Sequence, residues 1–570
     1  MSFQPALNGT SSPPMEIIFS QYRSSLNALF FVVVSLVLVY VTKVINYRRA
    51  FKHLHGPLPS PPFSMWFGTI PGIAGLYKNS PTDTHPMTTM TVLSRKYNLG
   101  NIYFLDNWPA SDWRQLVVND PAVAAQAIQQ HNLHKYHKYP DFVGHVVGKT
   151  SMLITEDQEW KKTRALFNPG FAAGHLMTLV PSIVDDTTVF IKILNRLADS
   201  GEITPLDDAL ARLTIDIMGH VVLDHDLNSQ TSENEMVNGF RGSVRWSPAA
   251  VTTNPFQNLN PITPMAHWYY TRITDNYIKK VIKQRIALRP AENGSSVKKS
   301  GRRPAIDLAV DEYLVTGDEG KASLVDAKFL QVATDQMKTF LFAGHDTSSS
   351  TLCYIYHELH THPEALAKVR QEHDHVFGPS TNAAEAIKRK PALLNELPFT
   401  LAIIKEVLRL YPPVSTAREG SKSVSLTTNG TTYSTENTMV WINLHTIQRR
   451  ADLFPDPDSF IPERFLPPPN NYPAQKEIVK DSWRPFEKGP RGCIGQELAV
   501  LEMKIIMVMT LRDFDISSAY EEWDRMLGRE KPGEMLDGKR GMFGTRAYQQ
   551  MKTTAKPSDD MPARVKRRVV

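Results

Sequence analysis

The sequence is nearly devoid of cysteine: Cys353 and Cys493 are the only two in 570 residues. That excludes a disulfide framework unless the two pair with each other, and it points to a reducing, cytosol-facing compartment. Also missing is any basic run interleaved with aromatic residues. The net charge of +6 therefore leaves no nucleic-acid footprint, and an anionic membrane surface or an acidic protein partner suits it better. His131, His134, His137 and His145 crowd one polar stretch, residues 129–147, but lack the tight spacing of metal ligands. That stretch reads as a loop. Uncharged apolar runs are scarce, and the one long example lies close to the N-terminus.

That run, residues 26–42, reads LNALFFVVVSLVLVYVT. It is apolar all round, unlike a surface helix, and just long enough to span a bilayer. A cleaved signal peptide places its basic residues ahead of a shorter apolar core, whereas Arg48, Arg49 and Lys52 follow this one. The positive-inside rule then puts residues 1–25 in the lumen, a transmembrane anchor at 26–45, and the basic cluster in the cytosol. Asn8 stands in a glycosylation sequon on the lumenal side, and Asn293 and Asn429 stand in sequons expected to stay unmodified in the cytosol. Residues 46–62 form a basic, proline-rich linker, of which residues 55–62 cannot be helical and should be semi-rigid. The linker would set residues 63–570 at a fixed pose over the membrane.

The most informative stretch is residues 486–495, FEKGPRGCIG. Gly489, Gly492 and Gly495 let the backbone approach a flat ligand, amide N–H groups turned toward the Cys493 sulfur would favour its thiolate, and Phe486 and Ile494 would shield it. A thiolate of this kind donates electron density to haem iron. A lone cysteine in a Gly/Pro turn can also be a small buried hydrophobe. The full pattern, however, resembles F-x-x-G-x-R-x-C-x-G, the haem-binding signature of the cytochrome P450 family of haem-thiolate monooxygenases, matched at every fixed position.

Three other stretches agree with that resemblance, in the family's order. Residues 155–158, Thr-Glu-Asp-Gln, have the form of a capping box opening a helix with Trp160 and Arg164 four apart. Such residues often form a packing pair, and the resemblance implies instead that they hold a haem propionate. A helical pattern over residues 324–360 contains Ala343-Gly344-His345-Asp346-Thr347-Ser348, where the family has A-G-x-D-T-T. Gly344, costly in mid-helix, would let a planar ligand and dioxygen approach, and Asp346 and Thr347 supply an acid and an alcohol for proton delivery. Ser348 departs from the pattern, but Thr347 keeps the alcohol. Glu406 and Arg409, three apart, read either as a surface pair or, given apolar neighbours, as a buried pair completed by Arg464. The resemblance implies the buried network. It also implies propionate contacts from Arg491 and Arg418.

Short β-like runs at 101–106 and 116–119, a helix opened by Asp120-Pro121, and successive helices over 172–226 fill out the body. Residues 228–303 correspond to the family's mobile lid. A helix is expected over 496–513, a loop returning to the pocket over 541–548, and a basic tail at Arg564, Lys566, Arg567 and Arg568. Length allows three or four domains, but the resemblance implies one haem domain over residues 63–570, mainly α with a small β portion, behind a single transmembrane helix. It implies haem b bound through Cys493, an apolar small-molecule substrate and dioxygen. With no flavin segment evident after the Cys493 loop, electrons are expected from NADPH–cytochrome P450 reductase at the endoplasmic reticulum membrane. The motif flanks look fungal, pointing to polyketide or terpenoid substrates, with fatty-acid or aromatic hydroxylation as the alternative. A haem-thiolate isomerase or dehydratase, and a haem-binding sensor or carrier without turnover, are the rival readings.

Overall fold

Helix-forming periodicity governs most of the chain, and the computed structural model carries it into 60% helix and 11% strand. It describes residues 15–55, 59–78, 80–108, 114–247, 260–287, 303–316, 326–379, 381–467, 478–529 and 541–569. The sequons at Asn8 and Asn293 and most of the 293–303 loop lie outside the described residues.

The first helix, Met15–His55, is longer than the anchor expected from the sequence. Its segment Arg23–Ala50 is long and apolar enough to cross a membrane, about 42 Å at 1.5 Å per residue, with Phe30, Phe31, Leu36 and Leu38 exposed along it. Arg48, one of the basic residues that follow the apolar run, is buried. It pairs with Asp106 and donates to the Trp108 carbonyl at 3.1 Å. Tyr40 and Tyr47 stack on the Trp108 ring at 5.6 and 5.2 Å. The end of the apolar helix is thereby fastened to the first hairpin of the body.

The main core lies where helices Ala173–Ser200, Leu206–Leu223, Ala327–Thr361 and Gln496–Leu511 pack together. The central helix, Ala327–Thr361, is capped by Asp326 accepting from the Phe329 N–H at 2.6 Å. It is buried along most of its length, which explains why its sequence lacks the one-sided pattern of a surface helix.

Among the described residues, eleven strands make the β portion: β1 Ile102–Asp106, β2 Arg114–Val118, β3 Thr204–Pro205, β4 Thr416–Glu419, β5 Ser425–Thr428, β6 Thr431–Ser434, β7 Met439–Ile442, β8 Phe514–Ser518, β9 Gln549–Met551, β10 Ala555–Pro557 and β11 Pro562–Arg567. The largest sheet has the order β1-β2-β7-β4, with β2 and β7 parallel and the outer pairs antiparallel. Smaller sheets pair β3-β11-β8, β5-β6 and β9-β10. The β5–β6 turn is Asn429-Gly430, both at positive φ, as a two-residue hairpin of inverted twist requires.

Two expectations need correction. Residues 129–147 are not a loop throughout: Pro140 starts a helix over Tyr139–Val147, proline being well placed in a first turn. The basic C-terminal residues are not a free tail. Ala563 and Val565 alternate inward, making β11 the middle strand of its sheet, while Arg564 pairs with Glu522 at 2.5 Å and Arg567 with Asp199 at 2.5 Å.

Candidate active site

The Cys493 loop is anchored before it begins. Glu406 and Arg409, wholly buried in helix Pro398–Leu410, form a two-point ion pair at 2.7 and 2.8 Å, and Arg464 donates to the same carboxylate at 3.1 Å. Arg409 also donates to the carbonyls of Gln448, Pro457 and Ser459. Gln448 accepts from the Arg484 backbone N–H at 3.0 Å, and the Trp483 indole donates to the Lys405 carbonyl at 2.9 Å. This is the buried reading of Glu406 and Arg409, and it holds the chain just ahead of Phe486.

The loop then folds on itself, Gly492 N–H donating to Gly489 O at 3.0 Å and Cys493 N–H to Glu487 O at 3.1 Å. Gly489 has φ +78, and a side chain there would come within 3.1 Å of the Ile128 carbonyl. A Cβ on Gly495 would meet nothing within 4 Å. Cys493 is surrounded by protein, yet its side chain is accessible, so the sulfur faces open space inside the fold. The amides of Gly495 and Gln496 donate to it, as expected, and Arg164 lies near. Burial outweighs them and pushes the thiol above its ordinary range.

Around this loop the cations outnumber the carboxylates. Arg491 lies 4.8 Å over the Trp160 ring, pairs with Glu156 and donates to the Met152 carbonyl at 3.3 Å. Arg418, wholly buried in β4, donates to Leu133 O and Glu487 at 3.2 Å each, while its Nε has no partner among the described residues. Arg164 donates to Gly492 O at 2.9 Å and to Asn168 at 2.7 Å. Lys135 sits in a β-bridge with Arg418, and its N–H donates to Glu156 at 2.7 Å. Four cations (Lys135, Arg164, Arg418 and Arg491) against two carboxylates (Glu156 and Glu487) leave two positive charges over. Burial first, then Arg418 and Arg491, push the Lys135 ammonium down to about 7. Nothing in the sequence marks Lys135, because its partners lie far along the chain. The expected capping box does not form: Thr155 donates to Ser151 O at 3.0 Å, and Glu156 is drawn to Arg491 and Lys135 instead of closing the helix Asp157–Phe167.

On the central helix, Gly344 has a packing reason that the sequence does not show. A Cβ there would lie 2.5 Å from Met218 Sδ, so the missing side chain serves the close packing of helix Leu206–Leu223. Ala343, one residue earlier, is accessible although the helix around it is largely buried. Thr347 donates its hydroxyl to Ala343 O at 2.8 Å, which leaves its oxygen free to accept. Asp346 turns away from that gap. Its carboxylate takes Lys556 Nζ at 2.8 Å and the Thr554 hydroxyl at 2.5 Å, both from the C-terminal β9–β10 hairpin region. Burial works to raise Asp346, but Lys556 outweighs it and the carboxyl sits below its usual range. Ser348 donates to Glu502 on helix Gln496–Leu511, whose carboxyl burial pushes up to about 8. That bond ties the Thr347 helix to the helix that follows Cys493.

Comparisons with known proteins agree on one family. A family model described as Cytochrome P450 matches residues 59–533. The chain is 40% identical over 501 residues to the cytochrome P450 monooxygenase acrF of Aspergillus aculeatus, covering 85% of this chain and 97% of that protein. It is 34% identical over 514 residues to the cytochrome P450 monooxygenase polC of Polytolypa hystricis, covering 89% of each. The crystal structure of the cytochrome P450DA heme domain shares the fold, with a TM-score of 0.69 at 18% identity over 90% of this chain and 98% of that one.

Proposed function

This chain belongs to the cytochrome P450 family, and from that membership we propose a monooxygenase that binds haem b through Cys493 and inserts one oxygen atom of dioxygen into an apolar fungal secondary metabolite. The observation that carries the cofactor reading is the donor set: a thiol facing open space with two amides aimed at its sulfur, beside four cations that exceed their carboxylates by two. A ligand with two propionates and a metal at its centre satisfies both halves. When bound, thiolate-ligated haem supplies the reductive activation of dioxygen and cleavage of its O–O bond.

The remaining roles belong to the protein. Cys493 Sγ would ligate iron, with Phe486 and Ile494 excluding water from the sulfur. Arg491, Arg418, Lys135, Trp160 and Arg164 would hold the propionates by charge-assisted hydrogen bonds. Thr347, its oxygen free to accept, orients a water, and Asp346 beside it moves the proton. Accessible Ala343 offers a small apolar wall on the same helix.

Electrons would arrive from a membrane-bound NADPH reductase, and Lys161 and Lys162, exposed on the Trp160 helix, offer it a basic surface. The apolar Met15–His55 helix suits a single-pass anchor in the endoplasmic reticulum, and exposed Phe63, Met65, Trp66 and Phe67 continue its apolar surface. Microsomes carrying this protein and a reductase, fed extracts of a fungal producer under isotopically labelled dioxygen, should yield a product with one labelled oxygen atom. Products that form equally without NADPH and carry no label would refute the monooxygenase reading and favour an isomerase or dehydratase.

A further inference from the structure

The carboxylate of Asp346 belongs to a buried group of three charges. Lys556 Nζ, on β10, lies 2.8 Å from Asp346 Oδ1 and 2.9 Å from Asp207 Oδ1, on helix Leu206–Leu223. Ser349 joins it, accepting from Lys556 at 2.8 Å and donating to Asp207 at 3.1 Å. The arrangement is clamped from outside: Ser350 donates to Ala555 O at 2.7 Å, and Ala555 N–H donates to Pro413 O at 2.9 Å. One ammonium therefore stands between two carboxylates with little solvent to screen them. A buried excess negative charge is costly, and one proton removes it.

The hydrogen bonds decide where that proton resides. Asp346 uses both oxygens to accept, Oδ1 from Lys556 and Oδ2 from Thr554 at 2.5 Å, an arrangement that favours the ionised form. The donors to Asp207, including the weak Cys353 S–H at 3.9 Å, converge on Oδ1 alone. Burial raises the Asp207 carboxyl, and the charges of Asp346 and Asp560 add to that rise. The other ionisable groups around the triad are His345, Cys353 and Tyr354 on the central helix and Arg241, which acts on His345. His345 is lowered by burial and Cys353 is raised by it, leaving both neutral at pH 7.

We propose that Asp207, Lys556 and Asp346 form a proton-holding triad in which Lys556 is a positioning residue, keeping Asp346 ionised and in place while Asp207 carries the exchangeable proton. For each proton delivered, Lys556 first gives one to Asp346 Oδ1 and recovers one from Asp207, so the Asp207 O–H bond breaks, an Asp346 O–H bond forms and the ammonium is restored; Asp346 then passes that proton on and returns to its ionised form, and Asp207 takes its next proton from solvent. The inference rests on the reading of Asp346 as the proton-moving acid, but the triad's charge state can be measured without turnover.

The test is an infrared titration of the full-length haem-loaded protein in detergent, following the carbonyl stretch of protonated carboxyl groups. At pH 7, once the band of Glu502 has been identified with Glu502→Gln, the wild type should show a band that either Asp207→Asn or Asp346→Asn removes, since each leaves a single carboxylate facing the ammonium. That band should shift in Ser349→Ala, which takes a donor from Asp207, and hold its place in Thr554→Val, which takes one from Asp346. Lys556→Met should bring in a second band, belonging to Asp346, and Lys556→Arg should return the spectrum to the wild-type pattern. A band that shifts in Thr554→Val and not in Ser349→Ala, or no triad band at pH 7, overturns the proposal. Should Lys556→Met fail to fold, the Ser349 and Thr554 variants still decide the matter with the lysine in place. Product formed per NADPH separates the two levels: if Asp346→Asn leaves that ratio unchanged, the proton role of Asp346 fails while the charge state of the triad stands on the infrared result alone.

Discussion

Two buried charge triads sit in the core with inverted compositions. In Glu406–Arg409–Arg464 one carboxylate is shared by two guanidinium groups, whose remaining N–H groups go to backbone carbonyls of residues 448–459. Arginine does not give up its proton, so that triad has one charge state and serves as a staple. In Asp207–Lys556–Asp346 one ammonium is shared by two carboxylates, and the odd negative charge makes a proton exchangeable. The lesson is that the sign of the majority charge separates a fixed network from one that can hold and release a proton.

The largest effect should come from breaking the staple. Arg409→Met or Glu406→Gln takes a charge partner from a buried ion pair and should cost about 3–5 kcal/mol, read as loss of haem-loaded protein on gel filtration and a collapsed denaturation midpoint. Lys556→Met should cost less, about 3 kcal/mol at neutral pH, because a carboxyl can neutralise itself by protonation. Its sign with pH separates it from the staple. With Lys556 gone, both aspartates have folded pKa values above their unfolded ones, so the folded state binds more protons. Stability of Lys556→Met should therefore fall as pH rises from 5 to 8, by up to about 1.4 kcal/mol per unit per proton, while the staple variants stay flat.

A third effect probes the spacing on which the second triad depends. Asp207 and Asp346 stand on helices that approach closely where Gly344 meets Met218. Gly344→Ala should cost about 1–3 kcal/mol, with Met218→Ala recovering part of it in a double-mutant cycle. The smallest effect belongs to a partly exposed copy of the same composition. His220 bonds Asp186 and Asp226 at 2.7 Å each. Burial pulls its pKa down, but the two carboxylates outweigh it and carry it up to about 9. Being raised, it contributes stability that is present in full below about pH 6.5 and lost as pH rises through 9. Asp186 is itself pushed up by burial, and Asp226 is largely solvated, so the loss should be about 1 kcal/mol. A thermal melt series from pH 6 to 10 against His220→Ala checks it.

Local pattern made the haem-domain fold, the central helix and the Cys493 loop readable in the sequence, because each is specified by residues close together in the chain. Asp346 and Thr347 stand out in the sequence for the same reason. Where the carboxylate of Asp346 points was not, since Thr554 and Lys556 lie more than two hundred positions away. Lys135 and Glu502 escaped likewise, one resembling a loop lysine and the other an ordinary helix acid. Gly344 stands between the two: its pattern drew attention to the place, while its packing against Met218 could not be read from the chain.

The central claim is that Cys493 presents a thiolate to haem iron, and the carbon monoxide complex of the reduced protein tests it most directly. The wild type should show the long-wavelength Soret band that marks thiolate ligation, and Cys493→His should retain haem while moving the band to the shorter wavelength of imidazole ligation. A wild-type complex with only the short-wavelength band, or a Cys493→His complex that keeps the long-wavelength one, would contradict the account.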